Sequence, residues 1–77
     1  MENYEKYRAV FAYALEMDED SVQTLKYKEG NWDSVGHMSL ITELERAFSV
    51  EFKSDDIVEF DSFEKGIEII KKYGIWD

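Results

Sequence analysis

The chain has no cysteine, no proline and a single histidine, His37. Without cysteine there are no disulfides, no thiolate metal ligands and no thiol nucleophile. One histidine leaves too few ligands for a zinc site built on nitrogen and sulfur donors. The missing cysteines fit a reducing compartment. Without proline there is no linker of the proline-rich kind. Bases are scarce as well: nine Lys and Arg stand against 18 Asp and Glu, a net charge of −9. Nucleic-acid binding needs clustered cations on phosphates, so it is not expected, nor is attraction to an anionic membrane surface. Apolar runs are only a few residues long, far short of a membrane span, so no membrane insertion is expected. The chain opens Met1-Glu2-Asn3 with neither a basic nor an apolar leader region, so no signal peptide is expected and the expected location is cytoplasmic.

What is present reads as one small folded unit, residues 1–77. Hydrophobic residues make up 44%, and five Phe, five Tyr and two Trp argue against disorder. A core of this size implies modest stability. The surplus of acid either steers the protein to partners with basic patches or only keeps it in solution, and composition leaves both open. The surplus is concentrated: the segment 33–64 holds nine acids against two bases, −7 of the total −9.

Periodicity places the helices. Tyr4, Tyr7, Val10, Phe11, Ala14 and Leu15 recur at helical spacing over residues 3 to about 16, with Asn3 as the expected cap and an aromatic stripe expected in the core. Residues 17–32 form a long connection. Its scattered anchors Val22, Leu25 and Tyr27 suggest a loop pinned across the bundle, with a turn at Glu29-Gly30-Asn31. Residues 34–49 form the second helix, with Val35, Met38, Ile41, Leu44, Ala47 and Phe48 expected inward and Leu40 at the edge. A short third helix is expected after Ser54 or Asp55, turning Ile57, and with it Val58 and Phe60, inward. The last helix is expected over 62–73, capped by Ser62, with Phe63, Ile67 and Ile70 inward, Ile69 beside them, Lys71-Lys72 late and Gly74 as the stop. Ile75 and Trp76 are left undecided between folding back and hanging free.

The start of the second helix carries the functional signal. In Trp32-Asp33-Ser34-Val35-Gly36-His37-Met38, an Asp-Ser pair runs directly into an apolar periodic segment. Asp and Ser are common caps, and capping alone is one reading. The other is a covalent group on Ser34: a phosphate ester there would meet free backbone N–H groups and the positive end of the helix dipole. Trp32 is expected to pack where the loop meets the helix and so to fix the presentation of Ser34. Gly36 costs helix stability, and its missing side chain is expected to let a partner or an attached arm come close. His37, three residues after Ser34, reads as an exposed histidine or one that touches a partner or the arm. A Ser–His nucleophile pair lacks an orienting third group.

Asp33-Ser34-Val35, followed by Met38, Leu40-Ile41, Leu44-Glu45 and Phe48, resembles the acyl carrier and peptidyl carrier protein family. The family signature is Asp-Ser-Leu at the start of its second helix, and Val35 is a mild departure from it. The resemblance extends loosely over nearly the whole chain. It implies an all-α four-helix bundle with a short third helix and a long loop between helices 1 and 2. It implies a carrier rather than an enzyme, with 4'-phosphopantetheine from coenzyme A on Ser34, Asp33 beside it, and acyl or aminoacyl cargo held as a thioester. The implied partners are a phosphopantetheinyl transferase, an acyl- or aminoacyl-loading ligase, and downstream acyl-processing enzymes with basic patches; a monomer is expected. Partner recognition is then expected at Val35, Gly36, His37 and Met38 and at Glu45, Asp55, Asp56 and Ile57, with Ile57 also a candidate wall of an acyl-accepting crevice. Gly36, Ser39 and Arg46 stand where fatty-acid carriers often have acids, which suits a stand-alone carrier of a specialised pathway or a peptidyl-type carrier. The alternative of another class is a non-catalytic acidic helical interaction module without a prosthetic group.

Overall fold

A computed structural model describes residues 2–76 as five helices: α1 (Glu2–Leu15), α2 (Glu19–Val22), α3 (Ser34–Phe48), α4 (Ser54–Glu59) and α5 (Phe63–Lys72). The all-α expectation holds, and four of the helices lie where periodicity puts them. The fifth, α2, is a single turn inside the long connection, with Glu19 and Asp20 in its first turn. Two expected caps are corrected. Asn3 lies inside α1, which already begins at Glu2, and Lys53 holds the cap position of α4 with no side-chain bond, so that Ser54 and Asp55 fall inside the helix. Ser62 does cap α5, accepting the Lys65 N–H at 2.9 Å.

Two helices end on a left-handed residue that is not glycine. Glu16 (φ 56°) and Ser49 (φ 54°) follow α1 and α3. In each case the next N–H reaches back to a helix carbonyl, Met17 to Ala12 at 2.9 Å and Val50 to Glu45 at 3.1 Å. These bonds satisfy carbonyls that the helix end would leave free.

α1 packs along α3 over an aromatic core. Phe11 sits 5.0 Å from both the Trp32 and Phe63 ring centres. Trp76 folds back onto Tyr4, Tyr7 and Phe48, which resolves the chain end. The Tyr7 hydroxyl donates to the Phe63 carbonyl at 2.7 Å, and burial pushes its ionisation well above the usual phenol value. Gly66 belongs to this core: a Cβ there would fall 2.2 Å from both the Phe60 ring and the Tyr7 hydroxyl oxygen. On α5, Ile69 and Ile70 are buried and Ile67 is only half-buried.

The inward face of α3 is corrected too. Leu40, Ile41, Leu44 and Phe48 are buried, whereas Val35 and Met38 are 75% and 57% exposed. The true stripe runs through 37, 40, 41, 44 and 48, one of two stripes that a run of mixed apolar residues allows at a 3.6-residue period. On α4 the inward residue is not Val58, which is 81% exposed; Ile57 is half-buried and Phe60, just past the helix, is buried.

The long connection is pinned as expected. Val22 and Leu25 are buried, and Tyr27 N–H donates to the Asp61 carbonyl at 2.8 Å while Phe63 N–H donates to the Leu25 carbonyl at 3.0 Å. The Asn31 side-chain amide donates to the Leu15 carbonyl at 2.8 Å, closing the end of α1. These bonds bring the loop back to the point where α3 starts. No helix among the described residues is long and apolar enough to cross a membrane.

Candidate functional site

The first turn of α3 divides the work between Asp33 and Ser34. Asp33 has extended backbone angles, and its Oδ1 accepts the Gly36 N–H at 2.8 Å while its carbonyl accepts the His37 N–H at 2.7 Å. Asp33 is therefore the cap. Ser34 is the first helical residue, exposed, and takes no part in the cap. Its hydroxyl stands at the end of α3 where backbone N–H groups and the helix dipole favour an anion. Val35 and Met38, misplaced in the expected core, give this exposed end an apolar flank.

Gly36 has a different reason from the one expected. A Cβ at this position would fall 2.5 Å from the Asn31 carbonyl oxygen and 3.1 Å from Leu15 Cδ2. Its bare face points into the junction of α1, loop and α3, not toward a visitor from outside. Glycine lets the loop backbone close against the helix start, and that closure aims Ser34 outward.

His37 is not an exposed histidine. It is half-buried, with both ring nitrogens engaged: the Trp32 indole Nε1–H donates to Nδ1 at 2.9 Å, and Nε2 lies 2.9 Å from the Ile57 carbonyl oxygen. The rings of Tyr27, Trp32 and Phe60 surround it at 5.5–6.0 Å. With both nitrogens committed, no Ser34–His37 nucleophile pair forms. Trp32 is fully buried and stacked along the imidazole, so it does pack at the loop–helix junction.

Beside this cluster lies a cavity of about 220 Å³ lined by Tyr27, His37, Ile57, Val58, Phe60 and Asp61. Its wall is mainly apolar, and His37 lies one turn beyond Ser34. Ile57 therefore stands at a crevice wall rather than in closed core.

The acidic candidates separate. Asp55 is exposed. Glu45 is half-buried, and its Oε2 accepts the Phe52 N–H at 3.0 Å, holding the turn after α3. Asp56 is corrected as a surface acid: it is buried, and its carboxylate accepts from Lys72 Nζ at 2.6 Å and from the Tyr73 hydroxyl. Those two bonds, the Lys72 one foremost, hold the carboxyl below its ordinary value of 3.8. Burial, and then the bond to Asp56, raise the Tyr73 phenol. Tyr73 also accepts the Lys53 N–H at 2.8 Å, so the network ties the start of α4 to the end of α5. Sequence reasoning missed this cluster because its members lie 16 and 17 residues apart with no local pattern linking them.

No protein-family model and no curated protein matches the chain.

Proposed function

We propose that this chain is a carrier protein: Ser34 takes a 4'-phosphopantetheine arm and the fold presents it to partner enzymes. The carrying observation is the division of labour at α3, where Asp33 caps the helix alone and the Ser34 hydroxyl is left exposed. A phosphodiester on that oxygen would lie at a helix N-terminus, which favours negative charge. The fit extends to the neighbourhood. Val35 and Met38 offer apolar contact next to the attachment point, and the crevice beside His37 and Ile57 offers apolar shelter. When bound, the arm supplies a terminal thiol that holds an acyl or aminoacyl group as a thioester. The chain itself holds the arm's attachment point rigid and raises cargo concentration at each partner.

The finer fold reading belongs with this proposal. α1, α3, α4 and α5 follow the order of the carrier bundle, with α2 as a turn within its long first loop. Exposed Val35, Met38, Val58 and Asp55 are the residues this reading keeps for partner contact. Gly36, His37, Glu45 and Asp56 then support that surface from behind.

Intact mass after incubation with coenzyme A and a broad-specificity phosphopantetheinyl transferase tests the proposal. One phosphopantetheine increment on the parent and none on Ser34→Ala is the expected result, with helix content equal because the Asp33 cap is untouched. No increment on folded parent protein with two different transferases refutes it and leaves the acidic interaction module.

A further inference from the structure

We propose that His37 is a proton-sensitive latch that holds the long loop and α4 onto the start of α3, and that it works only as the neutral imidazole with its hydrogen on Nε2. The inference stands on the geometry of His37 and does not depend on modification of Ser34.

The chemistry of the two partners fixes the state of the ring. An indole N–H can only donate, and a backbone carbonyl can only accept. Trp32 Nε1–H points at Nδ1, so Nδ1 must present a lone pair. Ile57 O faces Nε2, so Nε2 must carry the hydrogen. Of the three states of the ring, one meets both demands. The other neutral tautomer sets N–H against N–H on one side and lone pair against carbonyl on the other. The imidazolium keeps its bond to Ile57 but turns an N–H toward the indole N–H. Trp32 is fully buried, so its N–H then has no water to fall back on.

The three residues come from three elements: Trp32 from the loop, His37 from α3 and Ile57 from α4. The loop is also held by the Asn31 amide on the Leu15 carbonyl and by the Tyr27 N–H on the Asp61 carbonyl, and the cavity beside Ile57 and Val58 opens between the three elements. Loss of the indole bond therefore loosens the cavity wall where Trp32, His37 and Ile57 meet, while the Asp33 cap still holds the start of α3. The charged and titratable groups facing the ring are few. From the loop, Tyr27 meets it edge-on, with Lys28 Nζ 5.8 Å from the centre of the Tyr27 ring. From α3's start, the Asp33 carboxylate is committed to the Gly36 N–H. Asp61, between α4 and α5, lines the same cavity. None of these carboxylates is hydrogen-bonded to the imidazole, whose two nitrogens are spent on Trp32 and Ile57. The latch is thus complete at high pH and loses its indole bond as the ring takes a proton.

The test is nitrogen-15 NMR on the unmodified full chain, between about pH 8 and pH 5, where histidine side chains change charge. Three results are expected. The ring is the Nε2–H tautomer at the upper pH. Protection of the Trp32 indole N–H from hydrogen exchange, corrected for intrinsic rate, falls by about five- to 150-fold on protonation, the factor an orphaned buried donor carries. The Gly66 backbone N–H on α5, which donates to the Ser62 carbonyl at 3.0 Å, keeps its protection and serves as the internal control. His37→Gln, whose amide can accept from Trp32 and donate to Ile57 without titrating, should show no such fall. An Nδ1–H tautomer at the upper pH overturns the proposal, as does unchanged Trp32 protection on a protonated ring. So does an equal fall at the Trp32 indole and the Gly66 amide, which would mean global loosening. The tautomer and control readouts need only the parent chain, so they decide the matter even if His37→Gln fails to fold.

Discussion

Replacing Gly66 with alanine sets helix propensity against packing, and the structure says which wins. Alanine is favoured over glycine inside a helix by about 1 kcal/mol. Against that, the new methyl would sit 2.2 Å from the Phe60 ring and 2.2 Å from the Tyr7 hydroxyl oxygen, where non-bonded carbons prefer about 3.5–4.0 Å. Neither neighbour has room to yield, since Tyr7 and Phe60 are buried and the Tyr7 hydroxyl is tied to the Phe63 carbonyl at 2.7 Å. Overpacking of this kind costs about 1–3 kcal/mol, and displacing the hydroxyl from the Phe63 carbonyl adds about 1–3 kcal/mol. After the propensity gain, the net loss is about 1–5 kcal/mol. A chain of this length has about 4–12 kcal/mol in all, so the melting temperature should fall by about 4–40 °C. Thermal and urea unfolding followed by circular dichroism measures it. In a Tyr7→Phe background the hydroxyl collision is gone and only the Phe60 ring remains, so Gly66→Ala should cost less there than in the parent. A variant that melts at or above the parent temperature, or costs the same with and without the Tyr7 hydroxyl, refutes the close approach.

Asp33→Ala removes the one side-chain cap of α3 and should cost about 1 kcal/mol, a fall of about 4–8 °C in melting temperature, whereas Ser34→Ala should leave the melting point nearly unchanged. Equal losses from the two would mean that Ser34 shares the cap after all. For Asp56 the sign follows from its lowered carboxyl ionisation: the charged form is the bonded one, so its contribution is full above the ordinary value of 3.8 and is lost as pH falls below it. The urea midpoint of Asp56→Asn should therefore lie below that of the parent at neutral pH, and the gap should close as pH drops below that value. A gap constant across the range would show that the carboxylate charge plays no part.

Much of the molecule is local, and what is local can be read from residue order. The positions of α1, α3, α4 and α5 follow from apolar spacing and from Asp33 and Ser62 as caps, because helix formation and capping depend on residues within a few positions of one another. That Asp33-Ser34 starts a helix is legible for the same reason, whereas a covalent role for Ser34 comes only from the family resemblance. The helix ends near Glu16 and Ser49 fall within a residue of where the periodicity stops, but their left-handed conformation is not legible, since neither residue is the glycine that usually marks it.

Tertiary packing decided what spacing left degenerate. Val35, Met38, Leu40 and Ile41 offer two apolar stripes on one helix, and the position of α1 and Trp32 chose the stripe through Leu40 and Ile41, leaving Val35 and Met38 beside Ser34. Gly36 and Gly66 look alike as helix-weakening residues in the sequence. In space each is the point where a backbone carbonyl, or a ring and a hydroxyl, come too close for any side chain. His37 and Asp56 read as surface groups until the fold brings Trp32 and Ile57 to one, and Lys72 and Tyr73 to the other. The physical reason is common to all four: burial, close approach and hydrogen-bond partners, 16 to 20 residues away for Ile57 on His37 and for Lys72 and Tyr73 on Asp56, are set by how the loop and helices pack, and the local pattern carries no record of it.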